Sequence, residues 1–292
     1  MIFLGSDNTS RLVGIIGYPL GHSLSPAMHN GAFQHLGLGY HYVAFPVKPE
    51  DLAQAIAGLK ALNIAGCNVT IPYKEKVIPL LDHLDRDAAL LGAVNTIVNR
   101  DGELWGYNTD GAGFLRSLRE VGKIEVDGRS VLIMGAGGAA RAVAFALAKE
   151  GAGRLIIANR SRDKGEKLAA DIRQHFACPV QTCDLAMPSL REELKSVQLL
   201  INTLPLGMFP QTEAMPPVEP EWLKPPITVC DLIYNPPKTK LLAMAEKQGC
   251  PVLNGEGMLV YQGAAAFKLW TGYEAPVDIM RSVIRQQLKR QI

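Results

Sequence analysis

Long hydrophobic runs are missing from this sequence. No segment approaches the roughly 20 apolar residues that a membrane-spanning helix needs. An excess of one charge is missing too: 30 Lys and Arg face 28 Asp and Glu, for a formal net charge of +2. So small a balance offers no basic field to a nucleic acid or an anionic membrane. Cysteine is sparse. Cys67, Cys178, Cys183, Cys230 and Cys250 are scattered, with no CxxC pair. An odd number at irregular spacing argues for reduced thiols in a cytoplasm, against a disulfide framework and against a zinc site. The opening "MIFLGSDNTSR" has no basic start followed by a long apolar core, so no signal peptide is expected there. These absences leave a cytoplasmic protein with no metal and with neither nucleic acid nor membrane as partner.

What is present suits a soluble α/β protein. The 292 residues are enough for two domains, and 48% hydrophobic with 20% charged residues is ordinary globular composition. Short apolar strand patterns alternate with helical ones. "RLVGIIG", "YHYVAFPV", "NIAGCNVTI" and "AVNTIVN" read as strands, with "SPAMHNGAFQHLG" and "PEDLAQAIAGLKAL" as helices between them. Ser25 is a candidate N-cap, with Pro26 at the first helical position. Alternation of this kind predicts a mainly parallel sheet. The proline-rich "FPQTEAMPPVEPEWLKPP" reads as a surface loop, and the chain from Gly257 onward reads as helices without partner strands. A boundary is expected after Asn108, giving domains 1–109 and 110–255, with 256–292 as terminal helices that pattern alone assigns to neither domain.

Two stretches carry chemistry. "VLIMGAGGAA" ends a strand at Met134 and opens a helix near Ala139. Gly135, Gly137 and Ala140 fit the G-x-G-x-x-G/A fingerprint, and the turn runs through Ala136, Gly138 and Ala139. The first glycine permits the tight turn, the second lets backbone approach a pyrophosphate, and the helix N-terminus offers free N–H groups. The next strand ends at Asn159, where an NAD site usually carries Asp or Glu. Arg160 and Ser161 follow, with Lys164 a turn later. A cationic tip without a carboxylate favours the 2′-phosphate of NADP, although Asp163 weakens the signal.

The second stretch is "NVTIPYK". It starts as a strand and then sets Asn68, Thr70 and Lys74 where the strand leaves its sheet. Ser23 and Ser25 in "GYPLGHSLSPAMHN", Asn95 in "GAVNT" and Asp110 in "GYNTDGAGF" add hydroxyl, amide and carboxylate groups. Such a set suits a small polyhydroxylated acid bound at the carboxyl ends of strands. Taken singly, each has a plainer reading: Ser25 as a helix cap, Asn95 as a backbone partner, Lys74 as a solvated side chain.

Together these pieces resemble the shikimate dehydrogenase family. The resemblance runs from Val13 to at least Leu269 through "NTDGAGF", "GAGGAAR", "NRSRDK", "NTLPLGM", "DLIYNPPKTKLL" and "MLVYQGAAAFKLW". It implies an N-terminal α/β substrate domain, a doubly wound Rossmann domain for NADP, and C-terminal helices returning to the substrate domain. It implies reversible reduction of 3-dehydroshikimate to shikimate. By the same resemblance Ser23 and Ser25 would bind the substrate carboxylate. Asn68, Thr70, Asn95, Asp110 and Gln262 would hold the ring, and Tyr234 would line its side. Lys74 would be the catalytic lysine. Gly135 to Ala139, Asn159 to Lys164, Leu232 and Gly255 would bind the cofactor. The chain reads "NRS" where threonine is frequent after the arginine, which keeps the hydroxyl. It also has Leu204 where a smaller residue is usual.

Oxidising a secondary alcohol removes a hydride and a proton, so a group is needed for the proton. Lys74 and Asp110 are the expected pair. Burial lowers a lysine pKa from its usual value of about 10.4 and a neighbouring carboxylate raises it, so the two influences oppose each other. A quinate/shikimate dehydrogenase using NAD or NADP is the nearest alternative, and a non-catalytic dinucleotide sensor the alternative from another class. The sequence leaves monomer and homodimer equally open.

Overall fold

A computed structural model describes residues 10–21 and 23–290. The first nine residues, which include most of the segment read above for a leader, lie outside that range, as does His22 of "GYPLGHSLSPAMHN". The chain divides into two compact units. One contains the residues up to Thr109 and those from Gln262 onward; the other is Asp110–Tyr261.

The first unit opens with β1 (Arg11–Gly17), α1 (Ser25–His35), β2 (Tyr40–Pro46), α2 (Leu52–Ala61), β3 (Gly66–Val69), β4 (His83–Leu84), α3 (Arg86–Leu91), β5 (Thr96–Arg100) and β6 (Glu103–Tyr107). Its sheet has the order β2-β1-β3-β5-β6-β4. β1 runs parallel to β2 and β3, while β5 is antiparallel to β3 and β6. The sheet is therefore mixed, where alternation alone predicts a mainly parallel one. The cause is a hairpin that the pattern reading does not contain. Asp101 and Gly102 both have positive φ, 53° and 92°, and form the two-residue turn between β5 and β6. α1 also differs from expectation. Its first residue is Ser25, so the cap position falls to Leu24, with no side-chain cap bond.

The second unit contains α4 (Asp110–Glu120), β7 (Ser130–Met134), α5 (Gly138–Lys149), β8 (Arg154–Asn159), α6 (Arg162–His175), β9 (Val180–Asp184), α7 (Ser189–Leu194), β10 (Leu199–Asn202), β11 (Thr228–Asp231), α8 (Lys240–Lys247) and β12 (Val252–Leu253). Its sheet, β12-β11-β10-β7-β8-β9, is parallel at every pairing. This is the doubly wound Rossmann order, with its switch point between β7 and β10. The strands read as continuous apolar runs because helices cover both faces; Leu132, Ile133, Leu155, Ile156, Leu199 and Leu200 are fully buried. The proline-rich loop before β11 is irregular, as expected, yet it sends Val218 and Leu223 into the core.

The chain ends with α9 (Glu256–Thr271) and α10 (Val277–Arg290). The units part within α9, between Tyr261 and Gln262. The early turns belong to the second unit: a Cβ on Gly257 would meet Ser117 Oγ at 2.1 Å, and the Tyr261 hydroxyl donates to Glu120 at 2.8 Å. The later turns and α10 belong to the first. Trp270 Nε1 donates to the carbonyl of Ile97 in β5 at 2.9 Å, and a Cβ on Gly31 of α1 would lie 2.9 Å from Val283 in α10.

Candidate active site

In the first unit the polar residues meet where β1, β3 and β5 present one end of the sheet. Asn68 is buried near the end of β3. Its Oδ1 accepts from the Tyr42 hydroxyl at 2.8 Å, and its Nδ2 donates to the Asn95 carbonyl and to Thr96 Oγ1, both at 3.1 Å. Ser25, buried at the start of α1, hydrogen-bonds the same Tyr42 hydroxyl, and its own N–H donates to Ser23 Oγ at 3.4 Å. Burial pushes the Tyr42 phenol well above its usual range, so it stays a neutral donor. Asn95 is 3% exposed. Its Oδ1 accepts from the backbone N–H of Thr109 at 2.8 Å and from Thr96 Oγ1 at 2.9 Å, and its Nδ2 lies 3.5 Å from Gln262 Oε1. Ser23, Ser25, Asn68, Asn95 and Gln262 thus belong to one continuous web.

Thr70 and Lys74 lie on the turn that follows β3. Thr70 is half-buried and fills the space a side chain on Gly17 would need; a Cβ there would approach its methyl to 2.5 Å. Lys74 is half-buried. Its carbonyl accepts from Val94 N–H at 2.7 Å. Beside it Tyr73 is fully buried and donates its hydroxyl to the Val47 carbonyl at 2.6 Å. The turn is therefore pinned on both sides of the lysine. Asp110 is buried and opens α4 in the second unit.

In the second unit the glycine turn has the geometry a dinucleotide requires. Gly135 has φ 115°, and a Cβ there would sit 2.3 Å from Thr203 Oγ1, so only glycine fits. Gly137 precedes the first turn of α5, which begins at Gly138. Both are exposed, with open space where a side chain would stand. Backbone N–H groups at this helix start are accessible to phosphate oxygens. Ala136 and Ala139 are half-buried within the same turn, and Ala140 is fully buried, as close helix–strand packing demands. At the tip of β8, Asn159 Nδ2 donates to the Ser161 carbonyl at 2.8 Å, while Arg160, Ser161 and Lys164 are exposed. These donors and this open cradle fit NADP. Leu232, half-buried, follows β11, and Gly255 packs directly against its carbonyl, which a Cβ on Gly255 would meet at 1.9 Å. Tyr234 lies two residues farther on, half-buried, and burial raises its phenol.

Comparison with known proteins then decides the family. Residues 15–97 match the profile of the shikimate dehydrogenase substrate binding domain, residues 118–203 that of shikimate / quinate 5-dehydrogenase, and residues 255–285 that of the shikimate 5'-dehydrogenase C-terminal domain. The chain is 49% identical over 283 residues to shikimate dehydrogenase (NADP(+)) of Methanopyrus kandleri, covering 97% of this chain and 98% of the relative. It is 52% identical over 280 residues to the protein of the same name from Moorella thermoacetica, covering 96% and 94%. The chain belongs to the shikimate dehydrogenase family. Among solved structures, shikimate 5-dehydrogenase from Listeria monocytogenes, in complex with shikimate and NAD, superposes with a TM-score of 0.90 at 40% identity over 95% of this chain and 97% of that one.

Within this shikimate dehydrogenase fold, sequence reasoning missed several supports of the site. Tyr42 and Tyr73 look like ordinary strand and turn aromatics, and their hydroxyls act on residues 26 positions away. Thr203, which closes against Gly135, lay inside the quoted "NTLPLGM" without a role. Asp184 pairs in register with Asn159 from β9, so a carboxylate does stand on the strand next to the cationic tip.

Proposed function

We propose that the protein is an NADP-dependent shikimate dehydrogenase, an oxidoreductase that reversibly reduces 3-dehydroshikimate to shikimate in aromatic amino-acid biosynthesis. The observation that carries this reading is the buried web from Ser25 through Tyr42, Asn68 and Asn95 to Gln262, beside a pinned and half-buried Lys74. It is a set of neutral donors and acceptors, tied through the neighbours Val94 and Asn95 to the backbone of the one lysine, and the near-full-length relatives carry the same activity in their names. Its substrate is a small molecule, and it acts in the cytoplasm as a monomer or homodimer; five free cysteines, four of them buried, suit a reducing compartment.

In this reading Ser23 and Ser25 bind the substrate carboxylate, with Ser25 oriented by Tyr42. Asn68, Thr70, Asn95, Asp110 and Gln262 hold the ring hydroxyls, and Tyr234 lines the substrate side. NADP, when bound, supplies or accepts the hydride. Lys74 donates the proton to the carbonyl oxygen in reduction and takes it back in oxidation. Asp110 is its partner, and as an ammonium Lys74 also polarises the ketone before transfer. Gly135 to Ala139 would cradle the pyrophosphate, Arg160 and Lys164 with Asn159 and Ser161 would hold the 2′-phosphate, and Leu232 and Gly255 would also hold the cofactor.

The test is direct. Purified protein given shikimate and NADP+ should form NADPH and 3-dehydroshikimate, identified by chromatography. Nucleotide binding without turnover of shikimate would refute the catalytic assignment and favour a sensor.

A further inference from the structure

Asp231 closes β11, in register with Asn202 at the end of β10, and only 1% of it is exposed. Its Oδ1 accepts from Asn202 Nδ2 at 3.0 Å and from Ile233 N–H at 3.1 Å, and its Oδ2 accepts from Thr239 Oγ1 at 2.7 Å. All three donors are neutral. Among the described residues no Lys, Arg or His pairs with this carboxylate; burial pushes its pKa upward, while the three hydrogen bonds pull it down and favour the charged form. An unpaired buried charge is costly, and the usual remedy is a counter-ion or a neutral side chain. An asparagine could make the same three ties: its oxygen could accept from Asn202 and Ile233, and its amide could donate to Thr239 Oγ1. The hydrogen bonds explain a polar residue here but leave the choice of a carboxylate over an amide unexplained.

Topology supplies the missing partner. The glycine turn follows β7, and the cationic tip that suits the adenosine half follows β8 on one side. The nicotinamide half must then extend to the other side of the switch point, over the ends of β10 and β11. Thr203, just after β10, already abuts Gly135, and Leu232 with Gly255 comes immediately after Asp231. We propose that Asp231 is a fixed negative charge at the nicotinamide end of the cofactor site that favours the oxidised, cationic ring over the reduced, neutral one. This rests on the NADP reading above. The phosphates are common to both forms and cancel in the ratio of their affinities, so the ratio reports the ring alone.

The experiment is calorimetric measurement of Kd for NADP+ and for NADPH on the full-length protein, on Asp231→Asn and on Thr239→Val. Asp231→Asn should weaken NADP+ relative to NADPH on the order of tenfold, the scale of one charge acting through a partly screened interior. Thr239→Val breaks one tie but keeps the charge, so its ratio should match the wild type. Equal weakening of both forms by Asp231→Asn, or the same change of ratio in Thr239→Val, would overturn the proposal. If Asp231→Asn does not fold, Asp231→Ser is measured in its place, and an unchanged ratio there overturns it equally. A wild-type protein that binds neither nucleotide would sink the NADP reading itself, and this inference with it.

Discussion

Lys74 owes its position to its neighbours. Tyr73 buries its ring and bonds Val47, and the Lys74 carbonyl is tied to Val94, one residue before Asn95. Those supports survive truncation of the lysine side chain, so Lys74→Ala should lower kcat by a factor on the order of 10² or more with little change in shikimate KM. Steady-state kinetics checks this, and near-normal turnover would remove Lys74 from the chemistry. Behind the same web sits His29, fully buried, with no hydrogen-bond partner for either ring nitrogen among the described residues. It stacks on Tyr42 at 4.6 Å, among Phe33, Phe267 and Trp270. Burial lowers its pKa from the usual 6.5 to about 3. Below pH 6.5 the unfolded chain takes up a proton that the folded one refuses, so stability declines from there down to about pH 3, by about 2 kcal/mol at pH 5. Urea unfolding at pH 7 and pH 5 should show the loss, and His29→Phe should diminish it. Lys74 and Ser25 stand out as candidates in the sequence because motif and residue type coincide. Tyr42, Tyr73 and His29 were not, since their meaning depends on partners that only the fold brings near.

At the scale of elements, the strand–turn–helix of the second unit was the most legible part. Its signal is local: an apolar run, Gly135 to Gly138, and an alanine-rich helix all adjoin in sequence. Gly135→Ala should cost on the order of 1–3 kcal/mol through its positive φ, and the added Cβ must displace Thr203. Chemical denaturation measures the first effect, and loss of NADP+ affinity the second. A variant with wild-type stability and affinity would contradict the geometry of the turn. The β5–β6 hairpin was the least legible. Asp101-Gly102 is a strong turn signal, but Glu103–Tyr107 looks too short and too polar to be read as a strand until β5 and the short β4 flank it. The start of α1 carries a similar lesson. A serine followed by proline marks a helix start, yet Ser25 lies inside the helix, and its hydroxyl turns to Tyr42.

For the whole molecule, the two-unit division follows from two independent sheets, each with its own core. Which unit received the terminal helices could not be read from their pattern; it is decided by glycines at 31, 66 and 257, whose missing side chains leave room for close approach. A ligand that binds only the folded chain must stabilise it by mass action, so NADP+ at a hundred times its Kd should add about 2.7 kcal/mol and raise the melting temperature, while equimolar NAD should add less. Substrate and cofactor choice are read together in one measurement: kcat/KM for shikimate and for quinate, each with NADP+ and with NAD+, followed by nicotinamide absorbance. Activity should be concentrated in the shikimate and NADP+ combination. Comparable rates with quinate or with NAD+ would contradict it, and would show that Arg160 and Lys164 do not select the 2′-phosphate.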